Sequence, residues 1–270
     1  MLQYLIIILV SFGASVIGAI CGIGGGVIIK PVLDATGIMH VDTISFLSGC
    51  TVLSMSVVSV FKGLKRTKEV PQAAQGRGFD KKIATLLALG GVIGGLAGKT
   101  LYQRVLQQMS DANTIGAIQA IVLLIVTVGT LLYTIWKNRI HTMAIRNGVV
   151  CVIIGFFLGM MSAFLGIGGG PINLVVMFFF FSMSTKQAAI YSLYIIMFSQ
   201  LSSLISSLVN HNVPDFTLLT LVLMVCCGIA GGLAGTKINK KIKERTVEKL
   251  FIGLMVVIIL INIYNIFKYI

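Results

Sequence analysis

Gly22-Ile23-Gly24-Gly25-Gly26 closes the first apolar stretch of this chain, and the same five residues return as Gly166-Ile167-Gly168-Gly169-Gly170, 144 positions later. Three consecutive glycines in an apolar environment are costly in a continuous helix, about 1 kcal/mol each relative to alanine. The chain is expected to break at both places. Each cluster is followed by a short apolar run, 27–39 and 171–183, about half of the ~20 residues that a bilayer-spanning helix needs. Around them lie eight full-length apolar runs, at 3–20, 43–61, 83–103, 115–136, 148–165, 187–209, 216–236 and 250–267.

Composition agrees with a membrane protein. Of 270 residues, 57% are apolar and 11% charged, and mean hydropathy is +1.00. A soluble domain carries about 25% charged residues to keep its surface in water, so lipid is the outer solvent here. The formal charge of +13 would suggest nucleic acid in a soluble protein. In this chain most of the basic residues sit in three loops, from Lys62 to Lys82, Lys137 to Arg146 and Lys237 to Lys249. That is the cytoplasmic bias of membrane proteins, not a nucleic-acid surface. The connections at 104–114 and 210–215 are nearly free of basic charge and are read as external, which places both termini outside. No basic residue precedes the first apolar run, which argues against a cleaved signal peptide.

The repeat extends beyond the clusters. Gly94-Gly95-Leu96-Ala97-Gly98 returns as Gly231-Gly232-Leu233-Ala234-Gly235, and at the 144-residue offset Ser48 matches Ser192 and Ser59 matches Ser203. Threading the chain by its charges makes 83–103 and 216–236 cross in opposite senses. The fold expected is therefore an all-α integral membrane protein of two inverted-topology repeats, residues 1–140 and 141–270. Each repeat has four full spans and one half-length segment broken at a glycine-rich motif. Secondary transporters are built this way, whereas an enzyme or a receptor has little use for the symmetry.

Non-helical backbone at membrane depth is tolerated only when buried in protein or lining a wet cavity. The half-length segments would begin with free N–H groups and the positive end of a helix dipole, which suits an anion. Pro171 fits a first helical turn, where its missing donor costs nothing. The substrate-binding candidates are thus Gly24, Gly25 and Gly26 with Gly168, Gly169, Gly170 and Pro171. Hydroxyls follow at helical spacing in the next spans: Ser45, Ser48, Thr51 and Ser59, then Ser192, Ser199, Ser203 and Ser206 beside Gln200. Of these Ser48, Thr51, Ser192 and Gln200 join the candidates, as does Asn173. Lys30 is a candidate because ionisable residues inside a membrane are functional by default, and snorkelling beside Asp34 is the competing reading. The Gly-Gly-Leu-Ala-Gly motifs are read as close helix packing.

Other chemistries lack residues. No Asp or Glu lies in the middle of a span, so a proton relay has no carboxylate. His40, His141 and His211 show no metal spacing. A dinucleotide fingerprint would need glycine where Val27 and Pro171 stand. No cofactor, metal or catalytic group is expected. Five cysteines, Cys21, Cys50, Cys151, Cys226 and Cys227, give no disulfide framework and read as small hydrophobes; a sulfur relay through the Cys226-Cys227 pair stays open.

These features resemble the TauE/SafE sulfite-exporter family, also called TSUP permeases and formerly DUF81. The resemblance rests on the paired glycine clusters, on Pro31 and Pro171 after them, and on Gly-Gly-Leu-Ala-Gly with its basic linker and terminal apolar span. It covers essentially the whole chain. It implies a bacterial or archaeal plasma-membrane carrier of sulfite, sulfoacetate, thiosulfate or a similar small anion, with the lipid bilayer and that anion as partners. A homodimer is left open, as is a channel-like conduit for the same anions. One departure is Lys30, where the family usually has an uncharged residue; an added cation would favour a more highly charged anion.

Overall fold

The computed structural model describes residues 2–69, 80–108, 112–167 and 169–269, and over that range it is all-helical. Gly168, Arg77 and Asp111 lie outside the described residues. The helices are α1 (Leu2–Cys21), α2 (Gly26–Thr36), α3 (Val41–Glu69), α4 (Lys81–Gln108), α5 (Ala112–Trp136), α6 (Gly148–Leu165), α7 (Pro171–Phe181), α8 (Thr185–Val209), α9 (Leu218–Lys241) and α10 (Glu244–Tyr269). Among the described residues, eight of them are long and apolar enough to cross a bilayer, and α2 and α7 are the short ones. The chain is a multi-pass membrane protein.

Local chemistry explains the boundaries. Gly37, at φ 67°, ends α2 with its N–H on the Asp34 carbonyl, so the segment stops before Ile38 and Met39. Ser182 ends α7 in the same left-handed region, at φ 52°. Asn147 caps α6 by accepting the Val149 N–H at 2.9 Å. The basic linker expected at 237–249 is mostly helix: α9 runs on to Lys241 and α10 begins at Glu244. Hydropathy cannot see such extensions, yet they are favourable, because Lys240 and Lys241 meet the negative end of α9 and Glu244 the positive end of α10.

Close glycine contacts set the packing. Along α4 and α6, Gly90, Gly94 and Gly98 lie against the carbonyls of Val152, Phe156 and Met160. Along α9 and α1, Gly231 and Gly235 lie against those of Phe12 and Val16. Residue numbers rise together in both seams, so each pair runs side by side in one direction. The same holds for α4 with α8, where Gly91 meets Ile195 and Gly95 meets Ser199, and for α9 with α3, where Gly228 meets Thr51 and Gly232 meets Met55. The sense reverses between α3 and α8, where Gly49 faces Gln200 and Leu204 while Gly63 faces Ile190. In the same-direction seams Phe12, Val16, Thr51 and Met55 map onto Phe156, Met160, Ile195 and Ser199 at the same 144-residue offset.

The two halves share their cores. Ile20, Ile23 and Val27 of the first join Leu165, Ile167, Leu174 and Met177 of the second in one buried cluster. The 140–147 connection crosses the end of α7, where Met143 and Ile145 donate their N–H groups to the Phe179 and Phe180 carbonyls at 2.7 and 2.9 Å.

Candidate functional site

Both glycine clusters interrupt their helices. Gly22 and Gly24 adopt φ 78°, Gly166 φ 65° and Gly169 φ 122°, values that side-chain-bearing residues rarely tolerate. The two breaks cross against each other. A Cβ on Gly26, the first residue of α2, would run into the Ile167 carbonyl and come within 2.9 Å of the Ser48 hydroxyl. A Cβ on Gly169 would meet the Ile196 side chain, with the Ile23 carbonyl 3.4 Å away. Gly22 packs on Ala189 of α8 and Gly166 on Ser45 of α3, again a pair related by 144 positions.

The first turns of α2 and α7 therefore begin side by side. Helix N-termini leave four N–H groups without intrahelical acceptors and carry partial positive charge. Pro171 occupies the first turn of α7. Asn173 follows it, 1% exposed, and neither its Oδ1 nor its Nδ2 has a hydrogen-bond partner. Ser48 beside Gly26 is 0% exposed, and its hydroxyl is equally unpartnered. Ser192 sits on α8 between Ala189, which touches the first break, and Ile196, which touches the second; it too is buried without a partner. A buried polar group left unsatisfied costs about 1–3 kcal/mol. These three side chains lie on α3, α8 and α7 beside the two breaks, each buried and without a hydrogen-bond partner.

Other candidates take different positions. A Cβ on Gly25 would lie 3.2 Å from the backbone of Ala14 and Ser15, so this residue braces the first break against α1. Thr51 donates to the Leu47 carbonyl at 2.8 Å and lies against Gly228 of α9, which is helix packing. Gln200 donates to the Ser162 hydroxyl at 3.3 Å and faces Gly49. Its place is a cavity on one side of the crossing.

Lys30 does not snorkel. It is 5% exposed, and its ammonium points inward to donate to the Leu165 carbonyl at 2.6 Å and to Gln119 Oε1 at 2.5 Å. Gln119 in turn donates to the Phe164 carbonyl at 2.7 Å. A cation and an amide from the first half thus satisfy the last carbonyls of α6, at its negative end and immediately before the second break. Asp34 is engaged elsewhere: the Tyr269 hydroxyl donates to its carboxylate, and Lys268 to its carbonyl at 2.7 Å. These contacts and one from Asn265 to the Pro31 carbonyl at 3.0 Å tie the far end of α2 to α10.

Sequence reasoning missed Gln119, Lys99 and Tyr102. Gln119, Lys99, Tyr102, Gln200 and Gly166 share the lining of that cavity, between α3, α4, α5, α6 and α8. Lys99 lies inside the 83–103 run, so the rule that singled out Lys30 applied to it as well.

Eight apolar helices around two short segments that start at crossed glycine breaks make a multi-pass membrane protein. The family model described as "Sulfite exporter TauE/SafE" matches residues 7–261, and the chain belongs to that family. It is also similar to "Probable membrane transporter protein YunE" of Bacillus subtilis (strain 168), with 22% identity over 288 residues covering 99% of this chain and 98% of that protein. No solved structure matches it.

Proposed function

We propose that the chain is a secondary carrier of small sulfur-containing oxyanions, such as sulfite, thiosulfate or sulfoacetate, that works as an exporter by alternating access around the crossing of its two broken segments. The observation that carries this reading is the set of Ser48, Ser192 and Asn173, fully buried and unpartnered where α2 and α7 begin. An oxyanion offers acceptors for the hydroxyls, for the amide nitrogen and for the Gly26 and Val27 N–H groups, those of Ile28, Ile29 and Asn173 being taken by the Gly25 and Gly170 carbonyls. Gly24, Gly26, Gly169 and Gly170 let the backbone approach it, Gly25 holds the first break against α1, and Gly168 belongs to the same motif. The family membership and the name of the relative favour transport and, for the family, a sulfur oxyanion.

Alternating access draws support from the packing directions. α1, α3 and α9 run together, α4, α6 and α8 run together, and α3 opposes α8. Counterparts in residues 1–140 and 141–270 then run in opposite senses, as an inverted repeat requires. Burial of the crossing favours a carrier over an open conduit. On this reading the basic connections face the cytoplasm, both termini lie outside, and the membrane is a bacterial or archaeal plasma membrane. Export of an anion follows the inside-negative potential, worth about 2.3 kcal/mol per charge per 100 mV, so no coupled ion is needed in that direction.

The test is thermal stability of the purified protein against sulfite, thiosulfate, sulfate, sulfoacetate, taurine and acetate. A ligand of the folded state at 100 times its Kd adds about 2.7 kcal/mol. Stabilisation by a sulfur oxyanion and not by acetate supports the reading, and saturable counterflow in proteoliposomes then separates carrier from conduit. Stabilisation by none of them refutes it.

A further inference from the structure

The narrow cavity between α3, α4, α5, α6 and α8 holds chemistry that the crossing does not use. Its wall carries Lys99, Tyr102, Gln119, Gln200, Ser203 and Ser207, and it ends at Gly166 of the second break. The elements that line it place it on the side of the 104–114 and 210–215 connections. Lys99 lies over the Tyr102 ring at 5.2 Å. Among the described residues no carboxylate reaches it at ion-pair distance. Asp42, at the start of α3, is engaged with its own backbone, accepting the Thr43 N–H at 2.8 Å. Lys99 is half-buried four residues before the end of its apolar run, and an ammonium placed there keeps its charge by meeting water or an anion.

A second cation backs the first. Lys30 sits behind the wall on Gln119 Oε1, and its ammonium lies 3.3 Å from where a Gly166 side chain would begin. The repeat does not reproduce either charge: Thr236 stands at the position matching Lys99, and Leu174 at the position matching Lys30. Two cations from the first half therefore converge on one mouth of the crossing, while the mirror positions carry none. Helix packing has no need of that asymmetry, but a staging point for an anion on one side of the membrane does.

We propose that this cavity is a second anion subsite, distinct from the crossing, at which Lys99 with Gln119, Gln200 and the α8 hydroxyls holds a small oxyanion on its way to or from the locus of Ser48, Ser192 and Asn173. It rests on the reading of the chain as an oxyanion carrier. Lys30 holds Gln119 in place behind the subsite through its hydrogen bond to Oε1.

The experiment follows thermal stability of the purified full chain titrated with sodium sulfite or sodium sulfate, against sodium chloride at matched ionic strength. Four proteins are compared: the parent, K99M, the S48A/S192A double variant and the triple variant, with K99R as the charge-retaining control. The double variant should keep a part of the anion response, and adding K99M should remove it. K99M alone should raise the half-saturating concentration roughly tenfold, as loss of one charge-assisted hydrogen bond implies, while K99R stays near the parent. If the double variant loses the whole response, or if K99M changes nothing in either background, the second subsite is wrong and the crossing stands as the one site. If K99M abolishes the response and S48A/S192A leaves it intact, the cavity stands and the crossing fails. If neither anion stabilises the parent, both fall.

Discussion

Two kinds of glycine motif occur twice each in this chain, and the fold uses them in opposite ways. Gly22–Gly26 and 166–170 interrupt helices, with positive φ at Gly22, Gly24, Gly166 and Gly169. Gly94–Gly98 and Gly231–Gly235 stay inside α4 and α9 and let those helices press their backbones onto α6 and α1. The difference lies in spacing. Glycines four apart share one helix face and cost little where close contact repays them. Three in a row offer no face and no side chain to hold a helix together, so the chain breaks where its new N-terminus can meet a second one.

That contrast can be broken by one methyl group in each place. Gly26→Ala should abolish transport, a loss of at least about 100-fold, because its Cβ collides with the Ile167 carbonyl where the two breaks cross and even a 1 Å misplacement in a site can cost that much. Gly25→Leu and Gly169→Leu should do the same while still reaching the membrane. Gly94→Ala collides with the Phe156 carbonyl instead and should destabilise by about 1–3 kcal/mol through overpacking, with flux per folded molecule largely kept. Flux assays normalised to folded protein read the difference. Normal flux in Gly26→Ala would remove the crossing as the site.

Sharper still is Asn173→Leu. With its amide unpartnered in a buried position, the apolar replacement should leave the ligand-free protein as stable or raise it by about 1 kcal/mol. Stabilisation by the anion should disappear in the same variant. A structural asparagine would show the reverse, lower stability and an unchanged ligand response. Lys30→Met should fall between these patterns. It strips the donors from the Leu165 carbonyl and Gln119, so about 1–3 kcal/mol of stability should go, together with part of the anion affinity. An unchanged melting temperature would mean that the α6 terminus finds other donors.

The breaks and the half-length segments were legible because glycine runs and run lengths are local signals. The repeat pairs Ser48 with Ser192 and Ser59 with Ser203 in two serine-rich helices, and it does not by itself tell which pair lies at the breaks. The partner of Lys30 was not legible. Leu165 is 135 residues away and Gln119 is 89, and nothing in the 27–39 run distinguishes a lysine turned inward from one that snorkels. Thr51 shows the limit of helical spacing as a guide. It shares the stripe of Ser48, but one turn further along, α3 leaves the crossing and meets α9 at Gly228.

The smallest effect is expected from removing all five thiols. Cys21 and Cys151 are buried in the shared core, Cys50 and Cys227 are half-buried, and Cys226 is exposed on α9. Each is free, and the adjacent pair Cys226-Cys227 necessarily points to different sides of its helix, since neighbours in sequence do not share a helix face. None of the hydrogen bonds that shape the crossing or the α6 terminus uses a sulfur atom. Replacing all five with alanine should cost some stability at Cys21 and Cys151, where a small cavity opens. Counterflow of the anion should continue at close to the parental rate. Loss of transport in a folded, thiol-free protein would instead make sulfur chemistry part of the cycle, and the glycine crossing would then have to be reread as scaffold.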